Sequence, residues 1–122
     1  MKKSIHNLGK EARLNIIYTL LQNRSKKELA EELGITPAAI TKYIKNKTHP
    51  SDEIIERCIE ISNEEEYEAI INIIINDLTE AILELITNVN LELIHKNKNL
   101  DKLKNTLDKI YEKMLSTSPS LV

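Results

Sequence analysis

The four residues Gly34-Ile35-Thr36-Pro37 constrain this chain more than any other stretch in it. A glycine takes the left-handed backbone conformation at little steric cost, so it ends helices. Threonine caps a helix from the position before it. Proline suits the first helical position, where its missing N–H costs nothing. A helix stop and a helix start this close together force two short helices to meet across a tight turn. Upstream, Ser25 and Glu28 form a capping box that starts the first helix at Lys26, with Leu29, Ala30 and Leu33 facing inward. Downstream, the second helix runs from Pro37 to about Lys45, with Ile40, Tyr43 and Ile44 inward.

The rest of the chain reads as helix too. Leu14, Ile17, Tyr18 and Leu21 recur at three- and four-residue steps, which predicts a helix from Lys10 to Gln22. After the loop "KNKTHP", Ser51 caps a helix with Asp52 and Glu53 in its first turn, where the helix dipole favours acids. That helix buries Ile54, Ile55, Cys58 and Ile59 and ends near Ile61. Ser62 and Glu65 form a further capping box, and a long helix is expected over 63–95. Its apolar positions are too many for one stripe, so it must be covered on more than one side. Asn99 should cap a last helix, 100–115, whose Leu100, Leu103, Leu107, Ile110 and Met114 alternate as a heptad seam. The tail "STSPSLV" is expected to fray.

Composition agrees. The 122 residues hold two glycines, three prolines and neither tryptophan nor phenylalanine, which leaves isoleucine and leucine to build helical cores. The most apolar run, "AIINIIINDLTEAILELI", is interrupted by Asn72, Asn76, Asp77, Glu80 and Glu84, so it is not expected to span a membrane. The single cysteine, Cys58, allows no intrachain disulfide and reads as core. No signal-peptide core follows the basic start, and a cytoplasmic location is expected. His6, His49 and His95 are scattered without zinc-site spacing. No phosphate loop, nucleophile motif or acidic metal cluster is legible, so no metal, cofactor, catalysis or small-molecule effector is expected.

The charge is uneven. Residues 1–50 carry ten Lys/Arg against four Asp/Glu, and residues 51–92 carry Arg57 alone against twelve acids. A basic first segment fits contact with a polyanion, and it fits a solvated surface as well. The sequence "LAEELGITPAAITKYI" weighs on that choice. Its Leu29–Ala30, Gly34–Ile35, Ile40 and Tyr43–Ile44 resemble the helix-turn-helix of the Cro/CI-repressor type, the XRE-like regulators, without a gap. The flanking helices extend the resemblance over roughly residues 10–62.

The resemblance implies that Pro37–Lys45 is a recognition helix lying in the major groove of double-stranded DNA. Its outward residues are Thr36, Pro37, Ala38, Ala39, Thr41, Lys42 and Lys45. The threonines can hydrogen-bond bases or phosphates, and the alanines can touch thymine methyls. Lys42, Lys45 and Lys47 suit phosphate or guanine, and Lys26 and Lys27 can clamp the backbone. The face lacks the Gln, Asn or Arg of many relatives, so modest direct readout is expected, with a larger share from DNA shape.

One such unit covers little DNA, and these units pair over half-sites. The expected architecture is therefore all-α. A helix-turn-helix bundle of four short helices (1–62) is followed by a helical homodimerisation region (63–122). Ile71, Ile75, Leu78, Ile82, Ile86, Leu100, Leu103, Leu107, Ile110 and Met114 are the candidate pairing residues. They would act either in a helical hairpin that pairs into a bundle or in one continuous coiled coil. A competing reading is a protein–protein adaptor, antitoxin-like, whose C-terminal helices bind a partner while the head is a relic.

Overall fold

The computed structural model describes residues 1–117; residues 118–122, most of the tail expected to fray, lie outside the described residues. The described residues form eight helices and no strand. They are α1 (Lys2–His6), α2 (Lys10–Leu21), α3 (Lys26–Leu33), α4 (Pro37–Ile44), α5 (Asp52–Ile61), α6 (Glu64–Thr87), α7 (Leu91–Lys96) and α8 (Lys98–Thr117). The chain divides into two compact units, Met1–Ile82 and Leu83–Val122.

The first unit has one core, built from Ile5, Leu8, Ile16, Ile17, Leu20, Leu29, Leu33, Ile40, Ile55, Cys58, Ile70 and their neighbours. Each fully buried isoleucine or leucine contributes about 1.5–3 kcal/mol. Helix α1 is an addition to the expected four short helices. It is a single turn and a half, too short for a periodic signal, and it inserts Ile5 beneath α5.

The inward face of α2 also differs from expectation. Ala12, Arg13, Ile16, Ile17 and Leu20 are buried, whereas Tyr18 is 40% exposed and Leu14 and Leu21 are half-buried. Apolar residues surround this helix, so packing against α3 and α5 selects the face. Arg13 is buried because each nitrogen of its guanidinium is hydrogen-bonded. It donates to the carbonyls of Ile5 (2.8 Å), Leu8 (3.1 Å) and Pro50 (2.9 Å) and to Asp52 (2.7 Å). His6 joins Asp52 at 2.8 Å, and the hydrogen bonds from His6 and Arg13 hold the Asp52 carboxyl below the usual range.

The start of the long helix is shifted by one residue. Asn63, not Ser62, is the cap. Its Oδ1 accepts from the Glu66 N–H (2.8 Å), and Glu66 Oε1 accepts from the Asn63 N–H (3.0 Å). Asparagine caps as well as serine, and the Ser62 hydroxyl instead donates to the Ile59 carbonyl at the end of α5 (2.6 Å).

The long helix also ends early, at Thr87 rather than 95. There Thr87 donates to the Leu83 carbonyl and Asn88 to the Glu84 carbonyl, which satisfies the last turn of α6. Asn90 then caps α7 by accepting from the Glu92 N–H (2.9 Å). A second break falls at Asn97, whose side chain, not that of Asn99, caps α8 through the Leu100 N–H (3.0 Å). These two breaks exclude one continuous helix over 63–115. Short amide side chains compete with the helix for backbone partners. The apolar periodicity runs through both sites and hid them.

Candidate nucleic-acid interface

Two short helices, α3 and α4, carry the residues expected to meet DNA, and local chemistry fixes both. The Ser25–Glu28 capping box starts α3, with Ser25 Oγ accepting from the Glu28 N–H (3.1 Å) and the Glu28 carboxylate accepting in return (3.3 Å). Gly34 ends the helix at φ 70°. The Ile35 N–H reaches the Ala30 carbonyl (2.9 Å) and the Gly34 N–H that of Glu31 (3.2 Å), a Schellman closure. Arg57 of α5 donates to the Leu33 carbonyl (2.8 Å) and pairs with Glu53 (2.6 Å), so it braces the turn from behind. Ala30 is buried and α3 packs on α4, where a larger side chain would push the pair apart.

Helix α4 begins with Thr36 Oγ1 accepting from the Ala39 N–H (3.1 Å) and Pro37 in the first turn. Ile40 and Tyr43 are buried and hold it from inside. It closes with a second Schellman pair, Lys47 N–H to the Lys42 carbonyl and Asn46 N–H to the Tyr43 carbonyl, both 2.9 Å. Asn46 takes φ 60°, a conformation asparagine tolerates better than most residues. Asn46 was not singled out by sequence. Its only signal is an asparagine between two lysines just past a helix. It matters because it holds the Lys47 backbone against the end of α4.

The outward side of this element carries Thr36, Pro37, Ala38, Lys42, Lys45 and Lys47, all exposed, with Ala39 and Thr41 half-buried. The Thr41 hydroxyl donates to the Pro37 carbonyl (3.2 Å), leaving its oxygen free to accept. The Thr36 hydroxyl is used as an acceptor and keeps its proton to donate. Lys26 and Lys27 are exposed in the first turn of α3.

Charge is divided by residue type. Arg13, Arg24 and Arg57 are each held in ion pairs and carbonyl bonds inside the first unit. Among the described residues, no ion pair takes up Lys26, Lys27, Lys42, Lys45 or Lys47. No group of three or more His, Cys, Asp or Glu among the described residues could hold a metal ion, and no described helix is long and apolar enough to cross a membrane.

The candidate pairing residues fall into two groups. On α6, Ile75 and Ile82 are exposed, Ile86 is half-buried, and Ile71 and Leu78 pack against the core of the first unit. On α8, Leu103, Leu107, Ile110 and Met114 form an exposed row beginning at the half-buried Leu100.

The family model for a helix-turn-helix matches residues 18–63, from within α2 to just past the end of α5. Comparisons with curated proteins and with solved structures gave no match. The matched segment contains both closures of α3 and α4 and the outward lysines between them. Residues 18–63 thus match a helix-turn-helix model of the Cro/CI-repressor, XRE-like type, a family of DNA-binding regulators.

Proposed function

We propose that the chain is a sequence-specific transcriptional regulator that binds double-stranded DNA in the cytoplasm as a homodimer, with α4 in the major groove. The observation that carries this reading is the set of five exposed lysines on and around α3 and α4 that no internal carboxylate claims. Leaving them free keeps their charge for phosphates. Thr36, Thr41, Pro37, Ala38 and Ala39 are the groups that would face base edges, and none makes a bidentate contact. Readout is then modest per half-site, and selectivity comes from DNA shape and the spacing of two heads.

Pairing is assigned to two apolar rows, each taken by itself: Leu100, Leu103, Leu107, Ile110 and Met114 of α8, and Ile71, Ile75, Leu78, Ile82 and Ile86 of α6. A seam with three-four spacing suits a second copy of the same helix.

The test is binding to mixed genomic DNA across a salt series. Five phosphate contacts per head give a log–log slope of about −4.5, at roughly 0.9 per contact. Lys42→Ala/Lys45→Ala should flatten it by about 1.8 per head. Leu107→Asp should leave a monomer by sedimentation with the slope per head unchanged. An absence of binding at low salt, with a partner protein retained instead, would favour the adaptor reading.

A further inference from the structure

The first part of α6 is apolar over more than half of its circumference, yet it docks in one orientation. Isoleucines at 70, 71, 73, 74 and 75 spread over about 200° of its circumference, with Asn72 and Asn76 in the remaining arc. Ile70 and Ile74 are buried and Ile75 is 53% exposed. Burying one isoleucine instead of another changes the hydrophobic term little, so apolar packing alone selects this rotation weakly.

Two carboxylates bracket the buried face. Glu66 receives Arg24 Nη1 (2.6 Å), Arg24 Nη2 (3.2 Å) and Asn23 Nδ2 (3.2 Å), just beyond the end of α2. Arg24 also donates to the Leu20 carbonyl (2.9 Å) and pairs with Glu32 of α3 (2.8 Å). At the other end of α2, Asp77 accepts from the Gly9 N–H (3.0 Å). Helix α6 therefore runs antiparallel along α2, fastened at both ends. Eleven residues separate the two carboxylates, which puts them within about 20° of each other around the helix and roughly 16 Å apart along it. Ile75 lies about 180° from Glu66, and Ile71, Leu78 and Ile82 lie within about 60° of that opposite direction.

We infer that Glu66 and Asp77 act as a rotational lock on α6, positioning residues that fix which isoleucine row faces away from the helix-turn-helix. The inference rests on the homodimer reading for its consequence: the direction of the α6 pairing row relative to α4, and hence the half-site spacing, is set by these two contacts. A buried ion pair is a poor source of stability, because desolvation offsets its attraction. It is a strong source of orientation, since a rotated α6 leaves the Arg24 guanidinium, 12% exposed, without its carboxylate.

The experiment uses the full chain and needs no DNA, so its failure and that of the DNA-binding reading are separable. Ile74→Cys and Ile75→Cys are made singly in the Leu107→Asp background, which keeps the chain monomeric and position 75 uncovered, and labelled with a maleimide. Cys58 stays silent, being fully buried with its thiol pushed up to about 12 by that burial. In the parent, the thiol at 75 should react roughly a hundredfold faster than that at 74, which needs local opening. Adding Arg24→Leu/Glu66→Leu/Asp77→Ala should preserve helix content and melting, and collapse that ratio to within about tenfold. The exchanged pair Arg24→Glu/Glu66→Arg, with Asp77 kept, should restore it. An unchanged ratio in the folded triple variant would overturn the lock. If that variant does not fold, Glu66→Gln/Asp77→Asn is labelled in the same way, and an unchanged ratio there overturns it equally.

Discussion

Replacing Arg24 by leucine should reverse the sign of the protein's acid response. In the native fold, burial alone would push the Glu66 carboxyl up. Hydrogen bonds from Arg24, the Asn63 N–H and Asn23, with the Arg24 charge, outweigh burial and hold it below the usual range. A carboxyl depressed by folding contributes stability above its unfolded value and loses it as pH falls through the ordinary glutamate range toward the depressed one. The parent should therefore weaken on acidification. With Arg24→Leu the burial remains, Glu66 being 3% exposed, and the compensating charge is gone. Glu66 must then fold either as an unpaired buried anion or as a neutral acid. At neutral pH the single variant should lose about 3–5 kcal/mol, the cost of stranding one partner of a buried pair.

Below neutral pH the variant's folded state binds the proton more tightly than the unfolded chain. Its stability should rise as pH falls toward the ordinary glutamate value, by at most about 1.4 kcal/mol per pH unit for one proton. The Asp52 carboxyl, also depressed, weakens both proteins alike and cancels in the difference. Urea unfolding followed by circular dichroism reads both curves, at one fixed protein concentration because the stability of the proposed dimer would depend on it. Arg24→Leu/Glu66→Leu should recover most of the loss at neutral pH and remove the pH-dependent difference. Parallel pH curves for the parent and Arg24→Leu would refute the reasoning, since Glu66 could not then be governed by Arg24.

Two further changes test the local geometry. Gly34→Ala should cost about 1–2 kcal/mol, from the left-handed conformation alone, because the added Cβ would meet Arg57 Nη1 at 3.5 Å, an ordinary contact; urea unfolding reads it. Asn63→Ala should lower stability by about 1 kcal/mol through loss of the α6 cap, and Ser62→Ala by less than about 0.5 kcal/mol, a ranking that inverts if Ser62 is the cap after all.

The turn between α3 and α4 was legible because its chemistry is local. Ser25, Glu28, Gly34, Thr36 and Pro37 each act on backbone within four residues, so spacing alone reveals them. The same holds for Ser51. What escaped was set at a distance or hidden under a stronger pattern. Arg13 looks like a surface residue until four carbonyl and carboxylate oxygens from other parts of the chain converge on it. Asn88, Asn90 and Asn97 break a segment whose apolar spacing continues across them. The proposed pairing row of α6 could be read as apolar, but nothing in the spacing told Ile71, partly taken by the core, from Ile75, left exposed.

A chain with no phenylalanine or tryptophan has few shaped side chains with which to specify how its helices meet. Isoleucine faces are interchangeable, so direction has to come from polar groups. The arginines supply it: the planar guanidinium offers several donors in a fixed fork, which a lysine cannot match. Arg13 ties α2 to α1 and α5, Arg24 ties α2 and α3 to α6, and Arg57 ties α5 to the end of α3. With all three arginines so engaged, the outward face is left to lysines, point charges that suit phosphates but read guanine edges less strictly. On the proposed function the two facts have one cause. Arginines that orient the helices are unavailable for bidentate base contacts, and the orientation they impose, carried into the spacing of two heads, is what selectivity then depends on.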